Sequence, residues 1–81
     1  MNKAKKRVCE VQAIETIFTY VVDNMEYMET QNGINDTELQ ELLNEEDPNE
    51  WRVEMIRQSI EETKIKIEAY RKVSDQLIKM M

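Results

Sequence analysis

From Val53 to Met81 the chain carries an apolar line that never breaks step: Val53, Ile56, Ile60, Thr63, Ile67, Tyr70, Ser74, Leu77 and Met81 follow at alternating intervals of three and four residues. Such spacing stacks side chains along one face of a helix, and sustained over four heptads it requires a second helix to cover that face. A strand, with its period of two, cannot hold this pattern. One glycine, Gly33, and one proline, Pro48, are the only strong helix breakers in 81 residues, so long helices have few places to stop. The chain reads as a single all-α domain over residues 1–81.

A second line of the same kind lies near the N-terminus. Val11, Ile14, Phe18, Val21, Met25 and Met28 also step by three and four, which predicts a helix over about 3–31. Ile17, Val8 and Val22 flank this line, and Ala13, Tyr20 and Tyr27 form another at seven-residue spacing. The apolar arc is wider than one facing helix covers, so the pattern calls for more helical surface, from a further helix or a second copy. Asn32-Gly33 is expected to close the first helix in a left-handed turn. Asn35 with Glu38 three residues on has the spacing of a capping box and predicts a short helix over about 36–46 with Leu39, Leu42 and Leu43 on its apolar side. Asp47-Pro48 then reads as cap and first turn of a third helix over about 48–80. The expected architecture is an antiparallel hairpin of two long helices with a short helix between them, completed as a bundle by homodimerisation. Its seam would be built from Val11, Ile14, Phe18, Val21, Met25, Ile56, Ile60, Ile67, Tyr70 and Leu77.

Several functions are excluded by what the residues cannot supply. Without histidine there is no imidazole base, the commonest metal ligand is missing, and no serine or cysteine triad that depends on imidazole can form. A single glycine cannot build a phosphate-cradling loop, and Cys9 alone cannot hold zinc. Carboxylates on several helices could in principle hold a metal, but the Glu-x-x-His pattern of helical di-metal sites is missing. No catalytic residue, metal ligand or cofactor is expected. Apolar runs are too short to span a bilayer, and a lone cysteine agrees with a reducing, cytoplasmic setting.

Charge supplies the functional clue. Between Val8 and Trp51, 44 residues contain no lysine or arginine and twelve acids, whereas all eleven cations lie outside this stretch. Glu10 and Glu15 are expected to meet cations such as Lys64, Arg71 or Lys72 across the hairpin. The remaining acids, Asp23, Glu26, Glu29, Asp36, Glu38, Glu41, Glu45, Glu46, Asp47 and Glu50, would gather with Trp51 at one end of the rod. Trp51, Met55, Met25 and Met28 there either close a core or form an adaptable binding patch ringed by carboxylates. Alternating charges along Glu54, Arg57, Glu61, Lys64, Glu68, Arg71 and Asp75 read as a solvated ladder; the sharper alternative is that Arg57, Lys64 and Arg71 also reach acids of the first helix.

Three functional readings follow. In the first, the acidic end binds the basic surface of a nucleic-acid-handling protein in place of phosphates, as a small antagonist or regulator would. In the second, the helices serve to dimerise and the chain is a structural adaptor. In the third, Arg52, Arg57 or Arg71 meet an anionic small ligand such as a nucleotide. Direct nucleic-acid binding is not expected, because Tyr20 and Tyr27 sit among acids rather than in the cationic groove that base stacking requires. Richness in Asn, Lys, Ile and Glu suits an A/T-rich bacterial or phage genome.

Overall fold

The computed structural model describes residues 2–81, and its two helices form an antiparallel hairpin measuring 69 × 15 × 14 Å. Helix α1 spans Lys3–Leu43 and helix α2 spans Glu50–Met80, joined by residues 44–49. Asn2 caps α1 by accepting from the Lys5 amide at 2.8 Å. Among the described residues, no helix is long and apolar enough to cross a membrane.

The first helix does not stop at Asn32-Gly33. It continues for another ten residues, so the short helix expected over 36–46, with Asn35 as its cap, is absent as a separate element, and most of that segment is the last two turns of α1. Gly33 has no left-handed φ. The physical reason is visible along the seam. After Met28 the three-four spacing runs on through Asn32, Asn35, Leu39 and Leu42 without a change of phase. Leu39 is buried against Val53 and Ile56, with Leu42 and Ile60 packed beside them. Burying side chains of this size contributes roughly 1.5 to 3 kcal/mol each, more than the roughly 1 kcal/mol that an interior glycine costs a helix.

The start of α2 also differs from expectation. Asn49, not Asp47, is the cap, accepting from the Arg52 amide at 3.0 Å, and Pro48 lies outside the helix. Because α1 extends to Leu43, the chain needs length to reverse direction, and the six residues from Asn44 to Asn49 provide it.

Lettering the seam as heptad positions a and d puts Val11, Phe18, Met25, Asn32 and Leu39 of α1 at a, with Val53, Ile60, Ile67 and Ser74 of α2. A bond from the Asn32 side-chain amide to the Ile60 carbonyl joins the two helices. Ile14, Val21, Ile56, Ile67 and Leu77 of the expected seam are buried, and Val11, Phe18, Met25, Ile60 and Tyr70 are half-buried.

The core is divided. One half gathers Ile14, Val21 and Leu77 with Phe18, Met25 and Tyr70. The other gathers Leu39, Val53 and Ile56 with Leu42 and Ile60. Between them lies a polar waist of Asn32, Asn35 and Thr63. Among the described residues, no large side chain is fully enclosed, because two helices cover each other on one side only.

Candidate interaction surfaces

An antiparallel helix pair has two flanks, one bearing the g positions of both helices and the other the e positions. Each flank is marked by an ion pair. Arg52 and Glu38, both at g, join near the loop, where Arg52 Nε donates to Glu38 Oε1 at 3.1 Å. Arg71 and Glu29, both at e, meet at 3.6 Å. The second pair links residues well apart along the rod. Helical side chains lean toward their own N-terminus, so in antiparallel helices these two lean toward each other.

Continuity of α1 redistributes the acidic residues. Without a folded-back short helix, Asp23, Glu26 and Glu29 do not join Asp47 and Glu50 at one end. They lie 14 to 20 residues from Leu43, about 21 to 30 Å along the helix at 1.5 Å per residue. Asp36 and Glu38 occupy the turns between. The tip itself carries Glu41, Glu45, Glu46, Asp47 and Glu50, all exposed and none within ion-pair distance of a cation among the described residues. What was expected as one acidic end is an acidic tip, with the other acids spread over both flanks of α1 and Glu29 and Glu38 paired with Arg71 and Arg52.

Trp51 stands on this tip, 70 % exposed. It does not close a core, and of the methionines expected beside it only Met55, one turn along α2, is near. Met25 packs in the far half-core, Met28 is half-buried at the seam, and Met55 is exposed on α2. At the opposite end, Glu10 pairs with Arg7 at 3.6 Å rather than with a cation of α2. Arg7 also donates to the Met80 carbonyl at 2.8 Å, tying the open end of the hairpin. Glu15 has no ion-pair partner among the described residues. Of the α2 cations expected to reach across, Arg71 does so, and Arg52, which was not among them, also does.

The g flank holds a second surface that sequence reasoning saw in part. Ala13, Tyr20 and Tyr27 continue at the same interval to Ile34, with Ile17 beside them, giving α1 an exposed apolar band. Tyr20 and Tyr27 are 67 % and 64 % exposed. Ile34 was missed because the helix was expected to end before it; the unbroken seven-residue interval is the signal that finds it. On α2, Met55, Ala69, Val73 and Met80 occupy the corresponding c and g positions. Ala13 and Met80 line one shallow hollow across the two helices, and Ala69, Tyr70 and Val73 line another. The e flank is richer in charge, its hollow bordered by Glu29, Lys64, Ile67, Glu68, Arg71, Lys72 and Asp75, although Val8, Leu43 and Ile78 are exposed along it.

Among the described residues, no group of carboxylates and cysteine is disposed to hold a metal ion. Compared with protein families, with curated proteins and with solved structures, the chain matches none of them, so its surfaces are what speak to its function.

Proposed function

We propose that this chain is a protein–protein interaction module whose acidic tip binds the basic surface of a nucleic-acid-handling protein, acting there in the cytoplasm as an antagonist or regulator. The observation that supports this reading is the exposed Trp51 among Glu45, Glu46, Asp47 and Glu50. Tryptophan is enriched among the residues that dominate binding energy, and carboxylates around it steer a basic partner into contact. Helix α1 holds the acids in a fixed array along about 30 Å, and duplex DNA presents one charge per about 1.7 Å of axis. A surface shaped for phosphates would meet the carboxylates crowded at the tip.

Affinity capture on the immobilised chain from a bacterial lysate tests the reading. Basic, nucleic-acid-binding proteins are expected on the column at low salt and in the eluate as salt rises. Charge-neutralised E45Q/E46Q/D47N and the truncation Trp51→Ala should both lose them. A partner that is not basic, or one held equally at all salt concentrations, would sink the proposal.

A second reading concerns assembly. The apolar band from Ala13 to Ile34 supports a homodimer in which two hairpins pack as a four-helix bundle, the form a structural adaptor would take. Exposed apolar surface of this extent, rimmed by polar residues, marks association. Light scattering should give twice the chain mass; a monomer at high micromolar concentration would dismiss this reading and leave the first in place.

A further inference from the structure

We infer that the second copy lies end for end on the g flank, with α1 against the partner's α1 in antiparallel sense and Tyr20 level with the partner's Tyr27. This rests on the homodimer reading and adds its orientation. Two hairpins can pack through this flank in two ways. With the two-fold axis along the helices, α1 faces the partner's α2 and like ends lie together. With the axis across the helices, α1 faces the partner's α1 and each tip lies beside the partner's open end.

Charge separates these arrangements. Lys3, Lys5 and Lys6 are exposed at the open end without a carboxylate partner among the described residues, and Glu41, Glu45, Glu46 and Asp47 are exposed at the tip without a cation. Packing like ends together would set acid against acid around the two tips. Reversal sets the lysines of each copy against the acids of the other.

The apolar pattern selects the same register on its own. Along position c of α1 the order is Ala13, Tyr20, Tyr27 and Ile34. Reversed about the level between the two tyrosines, Ala13 meets the partner's Ile34 and Tyr20 meets the partner's Tyr27, so the smallest side chain lies against a branched one and the rings pair. The same reversal brings Lys6 level with the partner's Glu41 and Lys3 level with the partner's loop. On α2, Met55 near the tip and Met80 near the open end are both exposed on this flank, and the reversal brings each toward the other's counterpart. Exposed charge pairs contribute little singly but distinguish orientations collectively.

Cross-linking tests the orientation. In a Cys9→Ser background, A13C chains and I34C chains are treated with diamide separately and as a mixture. Disulfide-linked dimers are expected in the mixture and not in either variant alone. Self-linking of each variant, or no link in the mixture while light scattering still gives a dimer, would overturn the orientation and leave the homodimer reading standing. A monomer by light scattering would overturn both. As an independent check, K3E/K5E/K6E should weaken dimerisation by about tenfold, since it exchanges attraction for repulsion at both ends. An unchanged dissociation constant would count against end-for-end packing.

Discussion

Asn32 donates its side-chain amide to the backbone carbonyl of Ile60 on the facing helix at 3.3 Å, while its own Oδ1 is buried without a partner. A polar residue at a seam position costs stability and fixes register. Here it sits between two apolar half-cores, so a slip of one heptad would carry it into one of them. Asn32→Leu is expected to raise stability by about 1 to 2 kcal/mol, because it removes an incompletely bonded amide from the seam. Urea denaturation should show a later midpoint. NMR spectra of the variant should show more than one set of peaks, as alternative registers gain population.

Gly33 gives a test of helix continuity. It lies inside α1 with no left-handed φ, and nothing stands within 4 Å of where a Cβ would be. Gly33→Ala should therefore stabilise the hairpin by about 0.5 to 1 kcal/mol, through helix propensity and a less flexible unfolded chain. A glycine closing a helix in left-handed conformation would respond with the opposite sign. Thermal melts of the two proteins, compared side by side, decide it.

The cap of α2 can be located by two substitutions. Asn49→Ala removes the acceptor of the Arg52 amide and should cost about 1 kcal/mol. Asp47→Ala, in the loop, should change stability by less than about 0.5 kcal/mol. Equal losses, or a larger one at Asp47, would move the helix start back to Pro48.

Burial ranks the isoleucines of α2. Ile56 is buried in the loop-proximal half-core, whereas Ile65 points outward and is 61 % exposed. Ile56→Ala should cost about 2 to 3 kcal/mol, at the low end for such truncations because a two-helix core can collapse toward solvent. Ile65→Ala should cost under about 0.5 kcal/mol. Denaturation midpoints at equal m-value report both differences.

Much of this fold could be read from periodicity alone, and what could not has one source. The unbroken line from Val53 to Met81 announced a long helix and its need of a lengthwise neighbour, and the line from Val11 to Met28 supplied that neighbour. Local signals then misled at Asn32-Gly33 and Asn35, where residues that favour turns and caps outweighed a periodic signal that was still present. Asn32 and Asn35 are polar at seam positions, and reading them as punctuation hid the continuation to Leu39 and Leu42. Packing against Val53 and Ile56 decides the matter in the folded chain, and packing is not a local property. The same misreading displaced the candidate surfaces. Acids folded back on a short helix would have formed one dense end, whereas on a continuous α1 they are strung along the rod. Ile34, beyond the expected end of the first helix, belongs to the band of Tyr20 and Tyr27. The exposure of Trp51 depends on where α2 begins and how it turns, which composition does not report.

The elongated outline has a consequence for how this molecule moves. A compact chain of this length would have a radius of gyration of about 12 Å, while the hairpin reaches 19.1 Å. Such a rod meets more friction than a sphere of equal mass, tumbles anisotropically and sediments slowly for its 9.7 kDa. On a sizing column even a single hairpin would elute well ahead of its mass, at a volume easily taken for that of a pair. Hydrodynamic size and molar mass thus part company for this chain, and a Stokes radius should be converted to a stoichiometry only alongside a direct measurement of mass.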